Sequence, residues 1–239
     1  MKVIAEILAG GVGSRMGLGF PKQFLEVDGK PILIYTLNNF QINAQIDEIL
    51  LVCNPEWIDH AKELIDKYQI TKVKWIVPGG NTVHDSTRNG IFFLQDIAEP
   101  DDYIIIHDAA RPILPQLAIN DVLKVAIEHG NASLAIPCYE TVILTKDGIS
   151  GTEDIDRSTI MRIQTPQAYK YDLIKRLYEQ AEMDNIHDIV YADLVAIHYG
   201  ERVFFSKGFT NNIKVTRPED VPLFKSLIKF SDNQLYTFK

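Results

Sequence analysis

Short apolar runs alternate along this chain with longer stretches in which apolar and polar residues mix. Runs rich in β-branched residues predict strands at 3–9, 48–53, 73–77, 103–108, 133–137 and 202–208. Between most of them, apolar positions recur with the period of an amphipathic helix, at 31–43, 55–68, 85–97, 115–129 and 218–229. Such alternation predicts an α/β fold, in which helices cover both faces of a mostly parallel sheet. Ligands are then expected beyond the carboxyl ends of the strands.

One segment interrupts this alternation. Residues 138–167 contain β-prone pieces and a Lys-Asp-Gly turn, but no helical period. Because a short β segment has no core of its own, we predict a β-arm that is stable only against a partner. A symmetric homodimer that exchanges these arms is the expected arrangement.

Composition narrows the class of protein. The 239 residues are 46% hydrophobic and 23% charged, as in globular proteins with a full core. No apolar run is long enough to span a bilayer and no secretory signal is recognisable, so we expect a cytoplasmic protein without a membrane partner. The net charge of −8 argues against nucleic acid as a partner. Cys53 and Cys138 lack metal-ligand spacing and are expected to be buried free thiols.

A glycine-rich stretch, LAGGVGSRMGLGFPKQF, follows the first predicted strand. Glycines let successive backbone N–H groups converge on phosphate oxygens, so this stretch predicts an anion-binding loop. It fits neither the dinucleotide fingerprint, since Met16 stands where a glycine is needed, nor the Walker pattern, since Lys22 follows Pro21. Arg15 and Lys22 are left as the cations that can reach a triphosphate. The alternative is a glycine-rich turn with two solvated cations.

Two other stretches carry candidate chemistry. IIIHDAARP predicts a buried strand that ends in His107, Asp108 and Arg111, where ligands bind to parallel sheets. The Asp108 carboxylate can bind a ribose hydroxyl or Mg²⁺, or it can cap the next turn with Arg111 as its partner. NNIKVTRPED carries Lys214 on a strand-like piece before a helix that opens at Pro218. Taken alone, Lys214 is more simply an exposed surface lysine.

The motifs LAGGVGSRMG, PKQF, HDAARP, DR followed by QTPQ, and NIKVTRPED occur together in this order. In this they resemble the CTP-dependent cytidylyltransferases that activate phosphorylated polyols. The resemblance covers residues 3–229, and two close branches use 2-C-methyl-D-erythritol 4-phosphate and ribitol 5-phosphate. It implies a Rossmann-like three-layer nucleotidyltransferase fold in one domain over 1–239, CTP and a polyol phosphate as substrates, and Mg²⁺ as cofactor.

The resemblance also implies roles for individual residues. Arg15 and Lys22 would neutralise transition-state charge, Lys214 would contact the polyol phosphate or the α-phosphate, and Asp108 is the candidate Mg²⁺ ligand. Residues implied in CTP binding lie on the glycine loop or after the third and fourth predicted strands: Leu8, Ala9, Gly10, Gly11, Gly13, Gly79, Gly80, Ser86, Asp108 and Ala109. Residues implied in binding the polyol phosphate are Asp108, Arg111, Thr141, Arg157, Thr165 and Lys214. Among these, Thr141, Arg157 and Thr165 would reach across a dimer into the neighbour's site.

Departures from the family pattern bear on the substrate. Asn81 and Val83 stand where an acidic residue and an arginine are usual, and His84 is the candidate replacement for the lost nucleotide contact. Asn211 stands where the methylerythritol branch usually has an aspartate. The residues of the glycine loop are more similar to those of the ribitol branch. We therefore expect CMP transfer to ribitol 5-phosphate, ahead of methylerythritol phosphate or another alditol phosphate.

Two expectations stay open at this stage. Either Asp188 or Asp193 is expected at the site, since the family's Thr-Asp pair has no clear match in HDIVYADLV. Two other classes of protein also share features of the chain: a hexose-phosphate nucleotidyltransferase, which usually has a larger C-terminal region, and a non-enzymatic nucleotide-sensing module.

Overall fold

The computed structural model describes residues 1–230 except Val12, Ser14, Arg15 and Leu18. The strands within them are β1 Val3–Ala9, β2 Glu26–Val27, β3 Lys30–Pro31, β4 Glu48–Cys53, β5 Val73–Pro78, β6 Tyr103–Asp108, β7 Asn131–Pro137, β8 Val142–Leu144, β9 Glu153–Ile155, β10 Met161–Lys170 and β11 Phe205–Lys207. The helices are α1 Ile32–Gln41, α2 Ile58–Lys67, α3 Val83–Phe93, α4 Gln116–His129, α5 Tyr171–Met183, α6 Ala192–His198 and α7 Asp220–Leu227.

Seven of these strands form one central sheet in the order β11-β7-β10-β6-β1-β4-β5. Strand β1 pairs in parallel with both β4 and β6, and β4 pairs in parallel with β5. Only β10 runs antiparallel, between β6 and β7. Because most pairs are parallel, the carboxyl ends of β1, β4, β5 and β6 meet at one edge of the sheet.

Helices cover both faces of the central sheet, which gives three layers. Alternate residues of β1 point to opposite faces, so Ala5 belongs to the hydrophobic cluster under α1, α2 and α4, while Ile4 belongs to the cluster under α3, α5 and α6. The predicted α/β fold with a mostly parallel sheet is confirmed. None of the described helices is both long and apolar enough to cross a membrane.

The structure corrects several predicted elements. Helix α3 starts at Val83 rather than Asp85, because Thr82 is its cap and Asp85 is the third residue of a capping box. Helices α5 and α6 and the strand β10 have no counterpart among the predicted elements. Cys53 and Cys138 are buried free cysteines, as expected.

The predicted arm over 138–167 extends too far. Its middle part forms a separate two-stranded antiparallel sheet, in which Val142 pairs with Ile155 and Leu144 with Glu153. From Met161 onward, however, the chain belongs to β10, which pairs with β7 in the central sheet. The two-stranded sheet exposes the apolar side chains of Ile143 and Leu144. Its predicted part in dimer formation stays a prediction.

Glu6 of β1 is fully buried beneath α3. Its two carboxyl oxygens have no hydrogen-bond partner among the described residues. A Cβ atom at Gly90 would collide with this carboxyl group, so the glycine lets α3 pack directly over it. Burial raises the pKa of Glu6 well above its ordinary value. Burial without a hydrogen-bond partner therefore favours the neutral form of this carboxyl group.

Candidate functional site

A cavity of about 430 Å³ lies at the carboxyl ends of β1, β4, β5 and β6, where parallel sheets bind their ligands. Eleven of the residues implied by the sequence line it: Leu8, Gly10, Gly11, Gly13, Lys22, Gly79, Gly80, Ser86, Asp108, Ala109 and Lys214. The structure thus brings together motifs that are about 200 positions apart in the chain. A volume of this size falls in the range of small-molecule sites.

Glycines are required where the loop after β1 meets the turn after β5. A Cβ atom at Gly10 would lie 2.8 Å from Ser86 Oγ, and one at Gly79 would lie 3.0 Å from the Gly10 Cα atom. Ser86 Oγ in turn accepts a hydrogen bond from the Gly80 N–H at 3.1 Å. The two glycine segments therefore pack backbone against backbone at the cavity wall.

The first turn of α3 forms another wall of the cavity. Thr82 Oγ1 accepts a hydrogen bond from the Asp85 N–H at 3.0 Å, and the Asp85 carboxylate accepts one from the Thr82 N–H at 3.1 Å. Thr82, Val83 and Ser86 all line the cavity. The positive end of the α3 dipole therefore borders a space suited to an anion.

Asp108 is held by two cations at the end of β6. Lys214 Nζ lies 2.8 Å from Asp108 Oδ1, and Arg111 Nε lies 3.2 Å from Asp108 Oδ2. Burial opposes ionisation of the Asp108 carboxyl, but Lys214 and Arg111 outweigh it and hold its pKa well below the ordinary value. The cluster has two positive charges for one negative charge, so it favours an anionic ligand.

His107 does not contribute to the cavity lining. Its ring packs against Phe40, with the ring centres 5.2 Å apart, and its Nε2 atom lies 3.0 Å from the Arg111 carbonyl oxygen. Burial lowers the pKa of His107 to about 4. At neutral pH it is an uncharged core residue that supports the turn carrying Arg111.

Some predicted residues lie beside the cavity or behind it. The Ala9 carbonyl faces Gln23 rather than the cavity, at 2.6 Å from its Nε2 atom. Arg111 lies behind Asp108 and donates a hydrogen bond to the Asn212 carbonyl at 2.8 Å. Thr165 is buried, and its Oγ1 atom accepts a hydrogen bond from the Asp108 N–H at 3.1 Å. Thr165 therefore belongs to the site of its own chain, which corrects the expectation that it reaches into a neighbour.

Other predicted residues lie away from the cavity. Thr141 and Arg157 are exposed in the segment of the two-stranded sheet, where Arg157 donates a hydrogen bond to the Tyr139 carbonyl at 2.7 Å. Neither residue lines the cavity. Arg15 falls outside the described residues.

The structure supports neither of two expectations about polar residues near the site. His84 is fully buried, and its Nδ1 atom lies 2.8 Å from the Ile189 carbonyl oxygen, so it replaces no nucleotide contact. Asp188 is exposed and Asp193 is buried on α6, and neither lines the cavity. Burial raises the pKa of Asp193, as expected for a carboxyl group in the core rather than in a hydrated site.

The cavity also includes residues that sequence reasoning did not assign. They are Gln23, Asn54, Pro55, Asn81, Thr82, Val83, Ala110 and Thr216. Close to it, the Tyr191 ring lies 5.7 Å from Lys214 Nζ, in cation–π contact. Gln23 follows Lys22 within the PKQF motif, so its position next to a candidate cation is the sequence signal that places it near the site. For Tyr191, a single tyrosine in a loop, the sequence gives no such signal.

Comparison with known proteins agrees with this geometry. The family profile described as 2-C-methyl-D-erythritol 4-phosphate cytidylyltransferase matches residues 3–229. A ribitol-5-phosphate cytidylyltransferase of Lacticaseibacillus paracasei is 38% identical over 229 residues, which cover 95% of this chain and 98% of that protein. A 2-C-methyl-D-erythritol 4-phosphate cytidylyltransferase of Clostridium novyi is 36% identical over 230 residues, with 95% and 97% covered.

Solved structures show the same fold. The crystal structure of 4-diphosphocytidyl-2C-methyl-D-erythritol synthase from Anaerococcus prevotii superposes with a TM-score of 0.80 at 25% identity. The match covers 96% of each chain. The described part of the chain, which includes the unpredicted β10, α5 and α6, therefore follows the architecture of that enzyme over the matched residues.

Proposed function

Since the chain belongs to the 2-C-methyl-D-erythritol 4-phosphate cytidylyltransferase family and is a nucleotidyltransferase, we propose that its substrates are CTP and ribitol 5-phosphate. The products are CDP-ribitol and pyrophosphate. The observation that carries this proposal is the single cavity in which a glycine-rich backbone meets both Lys22 and Lys214. Such a cavity offers N–H donors and positive charge to a triphosphate and to an acceptor phosphate.

The proposed reaction needs little acid–base chemistry. An oxygen of the acceptor phosphate attacks the α-phosphorus of CTP, the new O–P bond forms, and the bond to the β-phosphate oxygen breaks to release pyrophosphate. A phosphate monoester is already a nucleophile, so positioning and charge neutralisation are the main requirements. Lys22 and Lys214 provide the charge, and the backbone N–H groups of the glycine loop orient the phosphates.

Asp108 is the residue that would hold Mg²⁺. It is the one carboxylate among the described lining residues, and Mg²⁺ in nucleotide sites is commonly held by one or two carboxylates together with substrate phosphates. Bound there, the ion would neutralise charge on the phosphates. Lys214 and Arg111 favour the ionised form of Asp108, which a metal ligand needs, but each of them also occupies one of its oxygens, so Mg²⁺ would have to share or displace one of these contacts.

Ribitol 5-phosphate is favoured as the acceptor for two reasons. Several relatives at 34–38% identity are named ribitol-5-phosphate cytidylyltransferase, among them the protein of Lacticaseibacillus paracasei. Asn211 also leaves an uncharged amide where a carboxylate is usual in the methylerythritol branch. Methylerythritol phosphate is the second candidate, since relatives of that name are 35–36% identical.

The test is pyrophosphate release with CTP and Mg²⁺ against a panel of acceptors. The panel contains ribitol 5-phosphate, other alditol phosphates, glycerol phosphate and methylerythritol phosphate. We expect the highest kcat/KM for ribitol 5-phosphate. A higher kcat/KM for methylerythritol phosphate would overturn the substrate choice, and no release with any acceptor would overturn the proposed reaction.

We further propose that the active form is a cytoplasmic homodimer. Thr141 and Arg157 lie outside the cavity of their own chain, in an exposed segment with apolar side chains, which supports a role at a second copy's site. Mixing an Arg157→Ala chain with a Lys22→Ala chain should then restore part of the activity, because one site of each mixed dimer would be intact. A fully active monomer in analytical ultracentrifugation would refute this assembly.

A further inference from the structure

Gln23 occupies an unusual position between the two parts of the phosphate-binding wall. It follows Lys22 in a short 3-10 turn, Lys22–Phe24, and its side chain is only 2% exposed. Its amide Nε2 atom donates to the Ala9 carbonyl at 2.6 Å and to the Gly11 carbonyl at 3.0 Å. One side chain thus uses both of its N–H groups on the backbone that flanks Gly10.

These two bonds constrain the backbone that faces the ligand. A peptide group is planar and trans, so holding the Ala9 carbonyl also fixes the direction of the Gly10 N–H on the opposite side of the same plane. Glycine residues move easily between backbone conformations, and a glycine loop alone would present its N–H groups in many directions. The Gln23 amide therefore removes freedom at the place where a phosphate has to be bound.

The turn that carries Gln23 is itself firmly placed. The Phe24 ring stacks on Trp57 with ring centres 4.7 Å apart, and the Leu25 N–H donates to the Lys22 carbonyl at 3.1 Å. On the other side, a Cβ atom at Gly13 would lie 2.8 Å from the backbone nitrogen of Lys22, so the loop and the turn are in close contact. Gln23 thereby ties the flexible loop to an anchored element that also carries Lys22.

The chemistry of the residue fits this position. A carboxylate would repel the two carbonyl oxygens, and an apolar side chain would donate to neither of them. The Ala9 carbonyl would then keep only the Asn54 N–H, at 3.2 Å. A neutral amide supplies two donors and adds no charge that competes with Lys22 for the ligand.

We propose that Gln23 is a positioning residue for the triphosphate of CTP, acting through the glycine loop and Lys22. This inference rests on the proposed cytidylyltransferase reaction. The prepared geometry lowers the ordering cost that CTP binding would otherwise carry. The contribution appears in steps that involve CTP phosphates, and not in binding of the acceptor.

The experiment compares CTP binding by calorimetry, in the presence of Mg²⁺, with steady-state kinetics. Gln23→Met keeps the length of the side chain and removes both donors. Losing two hydrogen bonds should raise the Kd for CTP about tenfold or more and lower kcat, while the KM for ribitol 5-phosphate changes by less than about twofold.

Asn43→Leu is the matched control. Asn43 is also a buried amide whose nitrogen makes two donations, to Gln116 Oε1 and Asn120 Oδ1, both at 2.9 Å, away from the cavity. The Asn43→Leu variant should have a lower melting temperature than the wild type, as Gln23→Met should, but its affinity for CTP should be unchanged. Equal loss of CTP affinity in both variants would show a general stability effect and overturn the inference.

Gln23→Glu provides an independent measurement if Gln23→Met folds poorly. At about pH 8 its carboxylate offers no donor and CTP affinity should be lowest, whereas protonation at lower pH restores one donor and part of the affinity relative to the wild type. Wild-type CTP affinity in either Gln23 variant would overturn the inference alone. Absence of CTP binding by the wild-type chain would instead overturn the proposed function and this inference with it.

Discussion

Lys214→Met removes one of the two cations that hold Asp108 and keeps an apolar stem of similar length. At 2.8 Å the two opposite charges attract by ~6 kcal/mol if the effective dielectric constant is about 20. Most of this is offset by the cost of taking both groups out of water, and deleting one partner of a buried pair typically costs ~3–5 kcal/mol. Because Arg111 remains on Asp108 and the Lys214 side chain is 22% exposed, we expect a loss of ~2 kcal/mol in the free energy of unfolding.

The pH dependence of this loss has a definite sign. The folded-state pKa of Asp108 lies below its unfolded value, so its ionised form stabilises the fold above about pH 4 and this stabilisation disappears as the pH falls through the folded-state pKa. Lys214→Met raises the folded-state pKa toward the ordinary value. The difference between variant and wild type should therefore be complete at pH 7 and narrow progressively below about pH 4.

Urea unfolding followed by fluorescence over this pH range measures the difference. Lys124→Met, at an exposed position of α4, is the matched control and should leave stability and turnover unchanged. In the enzymatic assay Lys214→Met should lower kcat/KM by ~10²-fold or more, as removal of other preorganised charges does. Wild-type stability at pH 7 would refute the ion-pair reasoning, and wild-type kcat/KM would refute the assignment of Lys214 to the reaction.

The remaining predictions concern three other positions. Lys22→Ala should lower kcat by ~10²-fold with little change in melting temperature, and equal turnover would remove Lys22 from the catalytic set. Gly80→Ala places a methyl group against Asp85 and displaces the start of α3; we expect ~1–3 kcal/mol of lost stability and weaker CTP binding by calorimetry, and unchanged values for both would contradict this packing. Glu6→Gln should have a higher melting temperature than the wild type at pH 8, and the difference should disappear near pH 4. Above about pH 4 ionisation of Glu6 stabilises the unfolded wild type, whereas burial opposes this ionisation in the folded state. A gap that does not depend on pH would show that Glu6 is not held neutral.

The strands that face the cavity were predictable because their side chains are buried on both faces. For β1, β4 and β6 the apolar runs give the observed bounds, since most residues of a strand that is buried on both faces are apolar. Glu6, buried without a hydrogen-bond partner among the described residues, is an exception in β1. The strand β10 has no such signal. Its residues Gln164, Thr165 and Gln167 are polar, and they are buried because other parts of the chain satisfy them: the Gln164 amide, for example, donates to the Phe209 carbonyl at 2.9 Å.

Helix α5 carries a sequence signal, although it has no counterpart among the predicted elements. The period of α5 is seen in its buried residues, which are Tyr171, Ile174, Leu177, Tyr178 and Ala181. The helix closely follows the β-prone segment 138–167, which has no helical period and hides the point where the period changes. Helix α6 has only seven residues, too few for a periodic pattern to stand out.

The site was predicted where a motif names a residue and missed where backbone atoms are the partners. Lys22 and Lys214 are separated by most of the chain, and only the order of motifs indicated that they meet. Gln23 bonds to carbonyl oxygens of Ala9 and Gly11, which every sequence supplies and no pattern marks. The wrong expectation for His84 has the same origin, since its partner is the Ile189 carbonyl.

Because His107 is buried and Asp108 is paired with two cations, the charges of these two side chains change little with pH. With the pKa of His107 at about 4 and that of Asp108 lower than usual, neither group changes its charge between about pH 5 and neutrality. The second ionisation of a phosphate monoester, by contrast, falls at about pH 6. In this range the acceptor itself, rather than either of these side chains, sets the fraction of encounters in which the attacking oxygen carries its full negative charge.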